Sequence, residues 1–289
     1  MRFAINVPNF ADYADPAAFV RLAREAEDAG WDGLFVWDHI LADPRWRMPI
    51  ADPWILLAAA AAATSRLRIG PMVTPLPRRH PWVVARQVAT LDHLSGGRVV
   101  FGAGLGHPPQ AEFEAFGLDP STSVRAEQLD EGLAVLDGLL RGEPFAFSGA
   151  HYRLSEMTFL PKPVQRPRPP VWLAGYWPRR GPFRRAARWD GVAPLSAALA
   201  ESAPEQPMPL DELRAALDLI RDERGDAGMA GYDVVVSGTS PADVAAAAAL
   251  VTQYEEAGAT WWSEGVNHWR GDANAMLRLV AAGPPGRAG

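Results

Sequence analysis

Cysteine is absent from the 289 residues. Its absence removes disulfides, thiolate nucleophiles, iron–sulfur clusters and cysteine-ligated zinc together. Lysine is nearly absent: Lys162 is the single lysine among 28 basic residues, and it lies in the proline-rich stretch PKPVQRPRPP. Schiff-base chemistry and lysine general bases therefore have no well-placed residue. Long apolar runs are missing too. The longest, Trp54 to Ala63, holds about 10 residues, half of the ~20 that span a bilayer. The opening MRFAINVPNF lacks the apolar segment of a secretory signal. A soluble, cytoplasmic protein without a membrane partner is expected. The net charge of −6 gives no basic field for nucleic acid.

Hydrophobic residues make up 48% of the chain and charged residues 21%, enough apolar mass for one large core. Short apolar strands alternate with helical patterns. Strands are expected at Phe3–Val7, Gly33–Trp37, Leu67–Val73, Arg98–Ala103, Val171–Ala174, Gly191–Pro194, Asp233–Ser237 and Thr260–Ser263. Asp15-Pro16 and Asp52-Pro53 read as helix starts, and Ser240-Pro241-x-Asp243 as a capping box. Between the fourth and fifth strands lies a long proline- and aromatic-rich connection, 142–170, with a hairpin expected around Ser148–Leu154. Eight strands alternating with helices point to parallel pairing by crossovers, and the count of eight to a closed (β/α)8 TIM barrel. An open doubly wound sheet is the alternative. A single domain over 1–282 and a flexible tail over 283–289 are expected.

In a barrel of this kind, chemistry sits just after each strand's C-terminal end. That places Asp38 and His39 after the second strand, Thr74, Arg78, Arg79 and His80 after the third, and Gly104, Gly106 and His107 after the fourth. Gly175, Tyr176, Arg179 and Arg180 follow the fifth, and Glu264 and Asn267 the eighth. Asp38-His39 is the best acid–base pair, since histidine titrates near neutrality and a carboxylate can fix its tautomer. Neighbours on a strand point to opposite faces, so only one of the two faces inward unless the strand has ended. Gly175–Gly191 is the phosphate candidate: a strand end, a glycine-bearing loop, then a helix starting near Pro182, with Arg179 and Arg180 beside it. Arg184, Arg185 and Arg188 read as a plain basic helix face. GAGLG at 102–106 fails the dinucleotide fingerprint, because His107 stands where the third glycine would be. The six histidines show no metal-ligand spacing, so no metal site is expected and a metal-dependent barrel hydrolase is a distant reading.

The stretches AREAEDAGWDGLFVWDH, LRIGPMVTPLPRRHP, LDHLSGGRVVFGAGLG, EFEAFG, DEGLAVLDGLLRGEPFAFSGAHY, PVQRPRPPVWLAG, AARWDG and GTSPADVAAAAALVTQYEEAGA together resemble the luciferase-like flavin- and coenzyme F420-dependent oxidoreductases. The resemblance covers most of the chain, in the family's order. It implies a luciferase-like TIM barrel with an insertion before strand five, and a flavin or deazaflavin ring over the barrel mouth. It implies that His39 stands near the ring's reactive carbon with Asp38 as its acidic neighbour. Thr74 matches the position where the backbone presses on the ring, Gly104 and Gly106 the loop after strand four, and Gly175 the first glycine of the phosphate loop. His107, Tyr176, Arg179 and Arg180 complete the expected cofactor contacts. Trp37-Asp38-His39 is closer to the F420-dependent members than to the FMN monooxygenases. Hydride transfer with coenzyme F420 and a small organic substrate is the leading reading. An FMN-dependent monooxygenase and a non-catalytic binder of such a cofactor are the alternatives. Family members commonly carry Gly-Gly after strand five, whereas Gly175 is followed here by Tyr176-Trp177-Pro178. A homodimer is the expected assembly.

Overall fold

Two Asp-Pro pairs begin the first two helices. In the computed structural model, which describes residues 1–200, 202–203 and 205–286, β1 (Arg2–Val7) leads to α1 (Pro16–Asp28) and β2 (Gly33–Val36) to α2 (Pro53–Ala63). Asp15 accepts from the Ala17 N–H, and Asp52 from Trp54 and Ile55. The proline at the first helical position has no N–H to leave unpaired, and the aspartate satisfies the donors that follow. β3 (Arg68–Pro71), β4 (Thr74–Pro75) and α3 (Pro81–Ser95) come next, then β5 (Phe101–Gly104), α4 (Pro109–Glu112) and α5 (Thr122–Leu140). The long connection holds an antiparallel hairpin, β6 (Pro144–Ser148) with β7 (Arg153–Thr158). It is the insertion expected before the fifth barrel strand. β8 (Val171–Trp177), α6 (Arg180–Ala186), β9 (Gly191–Ser196), α7 (Leu210–Arg224), β10 (Asp233–Gly238), α8 (Val244–Glu256), β11 (Trp261–Gly265) and α9 (Ala273–Ala281) finish the fold. The expected capping box at Ser240 is not what starts α8; Asp243 caps it, accepting from the Ala246 N–H at 2.8 Å. Of the expected tail, 287–289 lie outside the described residues.

The main sheet runs β3-β2-β1-β11-β10-β9-β8-β5-β4, with every pair parallel. β3 and β4 are two halves of one barrel strand, divided at Met72–Val73. β4 pairs with β5 through Thr74↔Ala103 and Pro75↔Gly104. β3 reaches the segment before β5: the Ile69 N–H donates to Arg98 O (3.1 Å) and the Val100 N–H to Ile69 O (2.9 Å). These bonds bring the two ends of the sheet together into a barrel, so the open doubly wound alternative is excluded. Two glycines permit this seam. A Cβ on Gly70 would lie 1.8 Å from Val100 O, and one on Gly102 2.2 Å from Pro71 O. Gly70→Ala is therefore expected to force the seam apart and cost about 3 kcal/mol or more. A thermal melt unchanged from wild type would show that the seam tolerates a side chain.

Ala4, Phe35, Met72, Val100, Trp172, Ala193, Val235 and Trp261 form a buried cluster inside the ring, one from each barrel segment. Phe35, Trp172 and Trp261 pack with centroids 5.2–6.1 Å apart. Asp233 accepts from both indole N–H groups, at 3.1 Å each, and pairs with Arg2 at 2.5 Å. The N-terminal end of the barrel is thus plugged.

Candidate active site

At the open end three segments deliver charge to one buried point. β2 stops at Val36, so Asp38 and His39 lie in the loop beyond it. The strand's alternation no longer applies there, and both side chains join one network. Thr74 starts β4, Arg78 and Arg79 follow it, and Glu112 comes from the end of α4. The Asp38 and Glu112 side chains are fully buried. Asp38 accepts from Thr74 Oγ1 (2.8 Å), Arg78 (2.6 Å) and Arg79 (2.7 Å). The same Arg78 pairs with Glu112 through its other guanidinium nitrogen. Glu112 also accepts from the backbone N–H groups of Ile40 (3.2 Å) and Ala42 (2.8 Å). Two buried carboxylates sharing one arginine are stable only when paired and hydrogen-bonded.

His39 sits on the rim of this network. Its Nδ1 lies 3.0 Å from Glu112 Oε1. A carboxylate only accepts, so Nδ1 carries the proton and Nε2 keeps its lone pair. Nε2 has no hydrogen-bond partner among the described residues. Burial first, and the Arg78 charge second, push the imidazole down to about 4 against the opposing pull of Asp38. The ring is therefore neutral at neutral pH. Asn9, fully buried, fixes its backbone: Nδ2 donates to His39 O (2.8 Å) and Ala51 O (2.7 Å), and Oδ1 accepts the His39 N–H (3.2 Å).

Above the aromatic plug the inward positions are small or polar. Asn6, Ala174, Ser237 and Ser263 stand two residues beyond plug members on β1, β8, β10 and β11. Ala174 and Ser237 are partly accessible although they face the barrel axis. Asn6 Oδ1 and Ser263 Oγ are buried without a hydrogen-bond partner.

The other expected residues spread around this mouth. Gly104 and Gly106 flank the loop after β5. Gly106 has a φ of +86°, and its carbonyl accepts from the buried Arg125 at 2.8 Å. His107 and Tyr176 meet edge to face with centroids 6.3 Å apart. Gly175 and Tyr176 lie inside β8, because that strand runs three residues further than its apolar pattern indicated. The space a Cβ on Gly175 would fill is taken by Pro182, at 2.5 Å. Arg179 stands at the N-cap position of α6 without a side-chain capping bond and Arg180 begins the helix, both exposed. Arg184 pairs with Glu223, and Arg185 and Arg188 with Asp130. Glu264, expected after a strand end, lies within β11. It is spent on Arg270 (2.5 Å), the Trp262 indole (2.7 Å) and the Ser240 N–H (2.9 Å). Among the described residues no cluster of three or more His, Asp or Glu side chains could hold a metal, and no helix is long and apolar enough to cross a membrane.

Sequence reasoning missed Glu112 and Arg125. Glu112 opens the EFEAFG stretch, but nothing in a short segment after Pro108-Pro109 announces a carboxylate 73 positions from its histidine.

A family model described as luciferase-like monooxygenase matches residues 1–282. The chain is 39% identical over 146 residues to an F420-dependent glucose-6-phosphate dehydrogenase of Beutenbergia cavernae, covering 48% of this chain and 41% of that protein. It is 33% identical over 179 residues to 4-hydroxyprotoasukamycin monooxygenase of Streptomyces nodosus subsp. asukaensis, covering 61% and 46%. The chain thus spans less than half the length of both relatives. Among solved structures, an F420-dependent secondary alcohol dehydrogenase in complex with an F420-acetone adduct superposes with a TM-score of 0.81 at 17% identity, covering 99% of each chain.

Proposed function

The chain belongs to the luciferase-like monooxygenase family, and on that premise we propose that it is an F420-dependent oxidoreductase moving hydride to or from a small organic substrate. The observation that carries this reading is His39: neutral, oriented by Glu112, with Nε2 open at the barrel mouth. Such a group takes a proton from a hydroxyl as hydride leaves the carbinol carbon, and returns it in the reverse direction. The resemblance to an F420-dependent dehydrogenase supports the choice of cofactor.

The mouth fits a flat heteroaromatic ring with polar edges. Its floor is built of small side chains, and Asn6 Oδ1 and Ser263 Oγ are buried polar atoms in want of partners. Unpaired buried groups cost on the order of 1–3 kcal/mol each, which a ring carbonyl or N–H offsets. Arg179 and Arg180 are the proposed contacts for an anionic tail. The filled space at Gly175 means that the backbone there gives a phosphate no added room, so the arginines carry that contact. When bound, the deazaflavin supplies the hydride chemistry. The chain's residues orient and move the proton. Glu112 holds Nδ1–H and thereby fixes the acceptor at Nε2. Arg78 pairs with Glu112 and Asp38, Arg79 adds the second positive charge at Asp38, and burial together with the Arg78 charge keeps His39 unprotonated. Thr74 and Arg79 hold Asp38 in place.

The deciding experiment is equilibrium binding of F420 and FMN to the cofactor-free protein by fluorescence quenching. F420 is expected to bind at least about tenfold tighter, about 1.4 kcal/mol. Tighter FMN binding would move the protein to the oxygen-using branch, and binding of neither would overturn the cofactor assignment.

A further inference from the structure

Three loops place a continuous set of rings beside His39. Phe10 follows β1, Trp37 and Trp46 follow β2, and His268 and Trp269 follow β11. Phe10, buried, is the hub: its centroid lies 5.8–6.0 Å from Trp37, His39, Trp46, His268 and Trp269. Trp269 also meets Trp37 and Trp46 at 6.1 Å each, and Trp37 meets His39 at 5.9 Å. The outer members are open to solvent, Trp46 at 38% and Trp269 at 48%. Two adjoining tryptophans left half-exposed above a packed aromatic base are a surface in want of an apolar cover.

We infer that this aromatic wall selects a planar, uncharged organic substrate and seats it against His39. The inference rests on the enzyme reading above and names its substrate class. Phe10 and Trp37 both meet the His39 ring, so the wall is continuous with the acid–base residue. Two of the arginines nearby are paired, Arg45 with Asp43 and Arg270 with Glu264, at 2.5 Å each, which leaves the exposed Arg47 beside Trp46 as the cation the test must weigh. Burial lowers the His268 imidazole against the opposing pull of Asp12, and His39 is neutral at neutral pH.

The test is isothermal calorimetry of the wild-type protein with acetophenone and with glucose 6-phosphate, repeated on Trp269→Ala, Trp46→Ala and Trp269→Phe. Acetophenone is expected to bind the wild type in preference to the sugar phosphate. Each alanine variant is expected to lose on the order of tenfold in affinity, with Trp269→Phe keeping most of it. Both tryptophans are substantially exposed, so the variants fold. Glucose 6-phosphate bound as tightly as acetophenone, through the exposed Arg47 for instance, would overturn the inference. So would absence of acetophenone binding, or alanine variants that bind it as the wild type does. F420 and FMN affinities measured on the same samples keep the two readings apart. Loss of cofactor binding with the wall intact sinks the enzyme reading, whereas intact cofactor binding with an indifferent wall sinks only the substrate class.

Discussion

Arg78→Met lowers the stability of the protein by about 3–5 kcal/mol, the cost of stranding buried charge. Arg78 is the cation that Asp38 and Glu112 share, and both acid side chains are fully buried. Methionine fills the volume but leaves Glu112 with backbone N–H donors and His39, and Asp38 with Thr74 and the partly exposed Arg79. Urea denaturation measures the loss. Adding Glu112→Gln to Arg78→Met removes one stranded charge and is expected to recover part of the stability; strict additivity of the two changes would show that the pair is uncoupled. His39 reports the same event. Arg78 is one of the forces holding its ring neutral, so the imidazole is expected to titrate higher in Arg78→Met, as read by NMR.

For the proposed F420-dependent reaction, His39→Ala is expected to lower turnover by about 10²–10⁴-fold, the usual worth of a positioned acid–base group, with F420 affinity within a few-fold of wild type. A mutant that turns over normally would remove His39 from the reaction. The pH profile gives an independent check. In the direction that takes a proton from substrate, the active form is neutral imidazole. The ring titrates at about 4, so kcat/KM is expected to be level at neutral pH and to fall as pH drops through about 4. Glu112→Gln, which touches His39 and not the reacting atoms, is expected to move that profile. Stability follows the same group with a definite sign. Unfolded, the imidazole titrates near 6.5; folded, at about 4. Between those values the unfolded chain holds the extra proton, so the stabilising contribution of neutral His39 is complete above about 6.5 and is lost as pH falls toward 4.

The barrel was readable because its signals are local. Asp15-Pro16 and Asp52-Pro53 cap their helices through contacts two or three residues away, and short apolar runs between turn residues pair as strands with their neighbours. The strand ends were less readable. β8 and β11 continue past their apolar cores into Gly175-Tyr176-Trp177 and Glu264-Gly265, because parallel neighbours supply the hydrogen bonds that hold polar residues in extended form. That extension moved Glu264 from the expected loop into a strand, where Arg270 and Trp262 occupy it.

The sequence by itself determined the eightfold alternation, the end of the barrel where polar residues gather, and the His39, Asp38 and Thr74 positions. Each follows from spacing along the chain. Only the tertiary structure decided that Glu112 orients His39, that one arginine serves two acids, and that Phe10, Trp37, Trp46, His268 and Trp269 form one surface. These contacts join residues up to 259 positions apart, as between Phe10 and Trp269. Ring closure creates the nearness, and burial then sets the charge each group can hold. Neither is present in a linear pattern of residues, because dielectric and distance are properties of the packed barrel.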